Sequence, residues 1–347
     1  MNAAVRAVTL FGHGHGLEVL GVRRGYRGLL DGALVPLRPV DVASILREGG
    51  TCLGSARCPE FHQPERRAEA RRRLREAGVE GLVVVGGNGS LTGLAALTHP
   101  DENATGLRGV GIPASIDNDI GATRLAIGVD TAVNTIVEAC DKISDTASAH
   151  DRTFIVEVMG RDCGYLAMTS GIAAGANAVL FPEMDKTEDE IVDTVARAVL
   201  RAQQREGTDR RVLVIKAEGV KMSADRLGAR LAERLVAQGC PAELTETRVT
   251  VLGHVVRGGR PSALDRQIGS RLGRAAVEAL LSGRDRLMAA WSTPSAIPHE
   301  RSPHDPQCSW VSLDRVLEAT QDLLGGRSEL TGWRAAALRS VEEILAS

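Results

Sequence analysis

Five short segments of this 347-residue chain each follow an apolar run that predicts a β-strand. They are residues 86–90 (GGNGS), 115–119 (SIDND), 157–161 (EVMGR), 217–219 (AEG) and 253–259 (GHVVRGG). Open α/β sheets place their ligands at the carboxyl ends of the strands. Together the segments offer a glycine loop for phosphate, two carboxylates for a proton and a metal ion, and Arg and His side chains for a second phosphate. That set is typical of phosphoryl transfer to a phosphorylated small molecule.

The alternation of strand-like apolar runs with helical patterns predicts an α/β fold with mostly parallel sheets. A prior of roughly 150 residues per domain suggests two domains. The predicted strands are residues 17–22, 82–85, 109–112, 153–158, 178–181, 212–215 and 249–252. The predicted helices include residues 1–10, 65–77, 129–144, 188–205 and one from 262 to 281, and residues 293–306 are predicted to form a loop.

Composition excludes several classes of function. The net charge of −2 gives no reason to expect nucleic acid as a partner. None of the six cysteines forms a Cys-x-x-Cys or zinc-type pair, which favours a reducing compartment. No apolar run approaches the ~20 residues of a membrane span, and the N-terminus lacks a signal-peptide pattern. We therefore expect a cytoplasmic protein without a membrane partner.

The glycine loop follows the strand that ends at Val85, and Ser90 is predicted to cap the next helix. Glycines at 86, 87 and 89 would let backbone N–H groups approach a phosphate closely. A tight strand-to-helix turn without a ligand is the alternative, because such loops are common in proteins.

The carboxylates of Asp117 and Asp119 are expected to share one side of an extended segment, with Ile116 pointing inward. Two carboxylates at close range repel, so one would be protonated, paired with a cation or bound to a metal. Phosphorylation of a hydroxyl needs a base, and often a carboxylate near Mg²⁺. The alternative is a polar turn held by Asx hydrogen bonds.

Basic side chains cluster at other predicted strand ends. An arginine fork binds phosphate oxygens in pairs, so these residues could hold a sugar phosphate. Taken singly, each arginine could equally be a surface residue, and His254 could be a core histidine. The residues are Arg152, Arg161, Arg248, His254 and Arg257.

In this order, the five segments resemble the 6-phosphofructokinase family, and the likeness extends over about residues 1–285. Further matches are residues 1–6 (MNAAVR), 50–57 (GTCLGSAR), and Pro261-Ser262 with Asp265-Arg266. The resemblance implies two Rossmann-like domains with a ligand cleft between them. It also implies transfer of the γ-phosphate of ATP, with Mg²⁺, to the 1-hydroxyl of fructose 6-phosphate in glycolysis.

The resemblance assigns a role to each matching residue. Asp117 would take the hydroxyl proton, and Arg161 would stabilise the transferred group. The implied sugar-phosphate residues are Ser115, Asp117, Arg152, Met159, Gly160, Arg161, Glu218, Arg248, His254 and Arg257. The implied nucleotide residues are Arg57, Cys58, Gly87, Asn88, Gly89 and Ser90, and Asn88 and Asp119 would be near Mg²⁺.

The resemblance also implies an oligomeric assembly and a function for each of the two domains. We expect a homotetramer or homodimer, in which Arg152 and Arg248 reach the sugar phosphate of a neighbouring subunit. Residues 1–128 plus 256–305 would form the nucleotide-binding domain. Residues 129–255 plus 306–347 would form the sugar-phosphate domain.

Two departures from the family pattern bear on activity. Asn88 stands where the family has an aspartate, so one charge near Mg²⁺ is missing. The family also has a strand and a Gly-Gly-Asp-x-Pro-Gly loop ahead of the helix that begins here at Met1. Either the reading frame starts upstream or the chain is truncated and impaired, and we favour the upstream start.

Other positions of the sequence bear on the identity of the phosphoryl donor and on allosteric regulation. Gly89 and Ala114 replace an Asp and a Lys that are typical of pyrophosphate-dependent members, which favours ATP. Leu10, Glu48 and Ser144 replace effector-site arginines, so control by ADP or phosphoenolpyruvate is not expected. Two alternatives stay open: a pyrophosphate-dependent phosphofructokinase, and a non-catalytic relative that binds sugar phosphate.

Overall fold

The computed structural model describes residues 1–148, 152–204, 210–334 and 336–337. Its strands are β1 (Leu20–Val22), β2 (Leu34–Pro36), β3 (Gly81–Gly86), β4 (Arg108–Pro113), β5 (Thr153–Val158), β6 (Ala178–Leu180), β7 (Val212–Ala217), β8 (Thr247–Val251), β9 (Leu287–Trp291), β10 (Glu300–Ser302) and β11 (Asp305–Ser312). Its helices are α1 (Asn2–Gly14), α2 (Gly25–Asp31), α3 (Pro64–Glu76), α4 (Asn88–Leu97), α5 (Val129–Ser148), α6 (Tyr165–Ala173), α7 (Glu188–Gln203), α8 (Ala224–Ala237), α9 (Ala263–Leu281) and α10 (Leu313–Leu324). The predicted α/β fold is confirmed.

The chain divides into two compact units. Unit 1 contains Met1–Ser115, Asp119–Asp130 and Gly259–Asp322. Unit 2 contains Ile116–Asn118, Thr131–Gly258 and the described part of Leu323–Ser347. The segment 115–119 is thus shared, with Asp117 in unit 2 and its neighbours Ser115 and Asp119 in unit 1.

Unit 1 is built on a five-stranded mixed sheet of order β10-β11-β9-β4-β3. Strands β3, β4 and β9 are parallel, whereas β11 and β10 add an antiparallel extension. Its core packs Val110 and Ile112 of β4 against Ile268 and Leu272 of α9, all fully buried. The continuous apolar run of β4 follows from this burial, because a central parallel strand is covered on both faces.

Unit 2 is built on a four-stranded parallel sheet of order β6-β7-β5-β8. Every residue of β7 is buried, including Lys216, whose Nζ donates to Glu157 of β5 at 2.9 Å. Val158 of β5 pairs with Ala217 of β7, and Glu157 pairs with Val251 of β8. The carboxyl ends of these three strands therefore lie side by side, and the segments that follow them begin at one edge of the sheet.

Most predicted elements are present, with shifted ends. Strand 153–158 has the predicted bounds, whereas helix α1 runs on to Gly14 and β1 is shorter than predicted. The predicted helix 188–205 ends at Gln203, and Arg205 lies outside the described residues. Ser262 caps α9 by accepting the Asp265 N–H at 3.1 Å, and the Asp265 carboxylate accepts the Gly128 N–H at 2.7 Å.

The prediction of a loop over residues 293–306 was wrong for its last part, from residue 300 onward. Strand β10 and the start of β11 lie there, and β9 before them was not predicted. Pro306 is tolerated in β11 because the pairing with β9 begins only at Cys308, so no β9 ladder bond needs its missing N–H. The burial of Trp310 and Val311 depends on pairing with a distant strand, which local patterning does not reveal.

Within the described ranges, none of the helices combines the length and apolar character needed to cross a bilayer.

Candidate active site

One group of candidate site residues lies in unit 1, where β3 and β4 end. Gly86 pairs with Pro113, so the segments that follow the two strands begin next to each other. Helix α4 starts at Asn88 with Gly87 as its N-cap. The partial positive charge at a helix N-terminus attracts anions, so this end of α4 is suited to a phosphate group.

Ser90 does not cap α4, contrary to the sequence prediction, because the N-cap position is one residue before Asn88 and Ser90 lies in the first turn. Its hydroxyl instead lies against the end of β3. A Cβ on Gly86 would be 2.4 Å from Ser90 Oγ, so the close approach of Ser90 requires glycine at position 86.

Tyr26 connects two segments that were predicted from the sequence to bind a nucleotide. Its hydroxyl donates to the Ser90 carbonyl at 2.6 Å, and its ring stacks on Phe61 with 4.0 Å between centroids. Burial raises the pKa of the Tyr26 hydroxyl, so it stays protonated and can donate. Phe61 lies in the short 3₁₀ helix Pro59–His62, which directly follows Arg57 and Cys58. Tyr26 was not predicted from the sequence, since no local pattern links it to either partner.

Arg57 is exposed, whereas Cys58 is half-buried at the start of that 3₁₀ helix. Desolvation, followed by the nearby Glu60 carboxylate, raises the pKa of the Cys58 thiol. Cys58 therefore stays a neutral thiol at physiological pH and is not an activated nucleophile. Of the two, only Arg57 offers a charge to a nucleotide.

Asp119 is held by two neutral donors of unit 1. The Asn88 side-chain amide donates to Asp119 Oδ2 at 3.0 Å and to the Asp119 carbonyl at 3.3 Å. The Ser115 hydroxyl donates to the other carboxylate oxygen, Oδ1, at 2.6 Å. The three side chains therefore form one hydrogen-bonded group that carries a single negative charge.

The oxygens of this group fit a hard divalent cation. Asn88 Oδ1 is buried and has no hydrogen-bond partner within the described residues, and it belongs to the same side chain that contacts the Asp119 carboxylate. Mg²⁺ is usually bound by one or two protein oxygens together with water and substrate phosphates. Among the described residues, no group of three or more His, Cys, Asp or Glu could form a cage for a metal. Asn88 and Asp119 therefore suit a cation that arrives with a phosphate ligand.

Asp117 does not lie on an extended segment, contrary to the expectation from the sequence. Residues 116–117 form a turn, and the fully buried Asn118 has a left-handed backbone with φ of +53°. This conformation breaks the alternation of an extended chain. Ile116 packs against the core of unit 2, as predicted. Asp117 is half-buried and belongs to unit 2.

A second group of candidate site residues lies in unit 2, at the edge where β5 and β7 end. The Arg161 N–H donates to Glu218 Oε1 at 3.2 Å, and both side chains are exposed. Two glycines permit this approach. Gly160 has a φ of +135°, and a Cβ on Gly219 would lie 1.5 Å from the Arg161 carbonyl oxygen. Met159 is buried in the core of unit 2, so it anchors this segment to that core.

Arg152 and Arg248 share one carboxylate. Arg152 Nε donates to Glu246 at 2.9 Å, and Arg248 forms an ion pair with the other oxygen of Glu246. Arg248 also lines an open groove of about 420 Å³ between α8 and β8, together with Asp225 and Thr247. Two guanidinium groups therefore share the Glu246 carboxylate.

His254 and Arg257 lie on a 3₁₀ helix, Gly253–Arg257, that follows β8. Val256 is buried and anchors this helix, while His254 and Arg257 are exposed. The alternative that His254 is a core histidine was therefore wrong.

The family profile described as Phosphofructokinase matches residues 1–280. An ATP-dependent 6-phosphofructokinase of Thermotoga neapolitana is 48% identical over 290 residues, which cover 84% of this chain and 85% of that protein. ATP-dependent 6-phosphofructokinase 1 of Thermus thermophilus is 46% identical over 83% of this chain and 84% of its own length.

The phosphofructokinase of Pichia pastoris in its T-state superposes on 99% of this chain, with a TM-score of 0.84 and 31% identity. This chain spans 38% of the length of that yeast protein. The profile match covers every predicted site residue, from Arg57 to Arg257, and most of both units. The chain belongs to the phosphofructokinase family.

Proposed function

We propose that this chain is an ATP-dependent 6-phosphofructokinase, which transfers the γ-phosphate of ATP to the 1-hydroxyl of fructose 6-phosphate. One observation carries the proposal: all the site segments lie within a region that is 48% identical to a protein named ATP-dependent 6-phosphofructokinase. The products would be ADP and fructose 1,6-bisphosphate, a step of glycolysis.

Unit 2 would bind the sugar and remove its proton. The Asp117 carboxylate would accept the proton of the 1-hydroxyl as the hydroxyl oxygen attacks phosphorus. The Arg161 guanidinium would stabilise the charge of the transferred phosphoryl group through paired hydrogen bonds. Glu218 would accept hydrogen bonds from hydroxyl groups of the sugar, because its Oε1 is oriented by the Arg161 N–H.

Unit 1 would bind ATP. Backbone N–H groups at Gly87, Asn88 and Gly89 would face the phosphates at the start of α4, and Arg57 would add a positive charge. Asn88 and Asp119 would hold Mg²⁺, which neutralises phosphate charge when bound. Ser115 orients Asp119 through its 2.6 Å hydrogen bond and could also contact the transferred phosphate.

The phosphate of fructose 6-phosphate would be bound by a ring of basic side chains. His254 and Arg257 would contribute from one subunit, and Arg152 and Arg248 from its neighbour in a homodimer or homotetramer. The exposed fraction of the Arg248 side chain, 53%, and its position on the edge strand β8 support such a role. We also propose a cytoplasmic location, as the family membership suggests.

Pyrophosphate is the second candidate donor, and Gly89 and Ala114 argue against it for the reasons given above. The non-catalytic alternative is supported by Asn88, whose amide cannot supply the charge of a carboxylate. A pyrophosphate-dependent enzyme would form fructose 1,6-bisphosphate from pyrophosphate instead of ATP. A non-catalytic relative would form no fructose 1,6-bisphosphate with either donor.

The test is a coupled assay of fructose 1,6-bisphosphate formation with Mg²⁺ and either ATP or pyrophosphate. The full chain is compared with Asp117→Asn and with Asp101→Asn, a control at an 87% exposed carboxylate in unit 1. We expect activity with ATP that falls by roughly 10²–10⁴-fold in Asp117→Asn and is unchanged in the control. Turnover with pyrophosphate alone would favour the second donor, and no turnover with either donor would reject the kinase.

A further inference from the structure

Arg334 is a buried arginine in the C-terminal part of unit 2, beyond residues 1–280 that match the family profile. It lies in a helical stretch, and its exposed fraction is 4%. A buried charge is costly unless it is paired. Among the described residues, no carboxylate lies within ion-pair distance of Arg334, and its Nε has no hydrogen-bond partner. Charge pairing therefore does not explain why this side chain is buried.

The two arms of the Arg334 guanidinium contact two different segments. Nη2 donates to the Asn118 carbonyl at 3.1 Å, and Nη1 lies 3.2 Å from Cys163 Sγ. The guanidinium carbon lies 4.6 Å from the centroid of the Tyr165 ring, which orients its plane. A planar fork held in this way fixes the distance between its two partners.

Both partners belong to segments that carry proposed catalytic residues. Asn118 directly follows Asp117 in the sequence. The Cys163 N–H donates to the Gly160 carbonyl at 2.7 Å, so Cys163 closes the turn that contains Arg161. One guanidinium therefore joins the Asp117 turn to the Arg161 turn.

The conformation of Asn118 needs such support. Its backbone is left-handed, with φ of +53°, and its side chain is fully buried. Backbones in this region persist only where the surroundings fix them. The Asn118 carbonyl accepts from Arg334 Nη2 and also from Cys163 Sγ at 3.8 Å, so both contacts of this cluster act on the residue next to Asp117.

We infer that Arg334 is a positioning residue for phosphoryl transfer, which holds the Asp117 turn and the Arg161 turn in their relative places. The inference rests on the proposed function. Arg334 acts through Asn118 and Cys163, so its loss is expected to lower kcat more than it changes either KM. Misplacing reacting groups by about 1 Å can cost up to about 10²-fold in rate.

The test compares the full chain with Arg334→Met, which keeps the length of the side chain but removes its donors. Arg327→Met is the matched control, because Arg327 is an exposed arginine of the same C-terminal part. We expect kcat to fall by about 10–10²-fold in Arg334→Met, with both KM values within about threefold of the parent and an unaltered circular-dichroism spectrum. The control should match the parent.

Two further variants separate positioning from folding. Arg334→Ala should regain kcat when methylguanidinium is added, because the small cation can occupy the vacated site, whereas methylammonium should not restore it. Cys163→Ala should lower kcat by a smaller factor, and its effect should not add to that of Arg334→Met, because both remove the same linkage. Unchanged kcat in Arg334→Met, or loss that methylguanidinium does not reverse, overturns the inference.

A crystal structure of Arg334→Met decides the matter independently of activity. We expect Asn118 to leave the left-handed region and the Asp117 side chain to move. If Asn118 and Asp117 keep their conformations, the positioning role is wrong even if the parent is an active kinase. If the parent shows no kinase activity, the proposed function fails, and the conformation of Asn118 in the variant still settles the structural claim.

Discussion

Single residues of this chain carry information that composition hides. Asn88 is an amide beside the Asp119 carboxylate, 3.0 Å away, in the group that we propose for Mg²⁺. The glycine and carboxylate segments were recognised from the sequence because their residue types are informative without any tertiary contact. The roles of Tyr26 and Arg334 were not recognised, because their partners lie 64 and 216 positions away in the chain.

Asn88→Asp would place a second carboxylate against Asp119. Without a cation, the two charges repel, and we expect the midpoint of thermal unfolding to fall by roughly 2–4 °C, or about 1 kcal/mol. With Mg²⁺, the additional charge should strengthen cation binding, so Mg²⁺ should raise the unfolding temperature of the variant more than that of the parent.

The measurement is thermal unfolding with and without Mg²⁺, with Asn88→Ala as a second variant that loses both the donor and Oδ1. An equal response of the parent and Asn88→Asp to Mg²⁺ would contradict the assignment of Asn88 to a cation site.

The elements show which part of a fold can be read from local sequence. The buried parallel strands β4, β5 and β7 were predicted because their apolar runs are continuous. Strands β10 and β11 were missed, since they are short or begin with charged residues and proline, and antiparallel pairing is what defines them. Strand β9, which pairs parallel with β4 and antiparallel with β11, was also missed. The turn at Asn118 was missed because its backbone is fixed by contacts with distant residues.

Gly219→Ala tests the contact between the segments that follow β5 and β7. The new Cβ would lie 1.5 Å from the Arg161 carbonyl, so one segment must move. We expect kcat to fall by at least about 10-fold, because Arg161 and Glu218 would be displaced together. Gly14→Ala is the control, since a Cβ there has nothing within 4 Å. Kinetic constants equal to those of the parent would show that this close approach is not needed for turnover.

The antiparallel extension of unit 1 is stabilised by an ion pair between Arg271 of α9 and Asp305 of β11. Two hydrogen bonds of 2.5 and 2.6 Å join them. Hydrogen bonds from Arg271 hold the pKa of Asp305 below its ordinary value. A carboxyl group with a lowered folded-state pKa stabilises the fold above its unfolded pKa of about 4, and the contribution is lost as pH falls through the folded-state pKa.

We therefore expect Asp305→Asn to lower the free energy of unfolding by about 1–2 kcal/mol at neutral pH, allowing for the partial exposure of Arg271. The difference from the parent should shrink as the pH is lowered below about 4. Urea unfolding at several pH values measures it, with Asp101→Asn as the exposed control. A difference that does not depend on pH would mean that charge pairing is not its cause.

At the scale of the whole molecule, the sequence predicted two α/β units and the family, because the site segments recur in a fixed order over most of the chain. The oligomeric assembly is harder to predict from the sequence, since an interface is formed with the surface of another copy of the chain. We propose that Arg248 completes the sugar-phosphate site of a neighbouring subunit, as its exposure on edge strand β8 supports.

Mixing two inactive variants tests this arrangement. Asp117→Asn and Arg248→Met should each have low activity at moderate concentrations of fructose 6-phosphate. Subunits that are dissociated, mixed and reassembled should recover about a quarter of the parental sites, because random assembly pairs intact residues across some interfaces. No recovery, with mixed oligomers verified by mass, would mean that Arg248 acts within its own subunit.

The central claim is that phosphate moves from ATP to the 1-hydroxyl of fructose 6-phosphate on this chain. The most direct measurement incubates the full chain with Mg²⁺, fructose 6-phosphate and ATP labelled at its γ-phosphate, and identifies the labelled product. We predict label in fructose 1,6-bisphosphate at carbon 1, and none in that product with Asp117→Asn on the same timescale. Label that remains in ATP or appears only as inorganic phosphate would contradict the account.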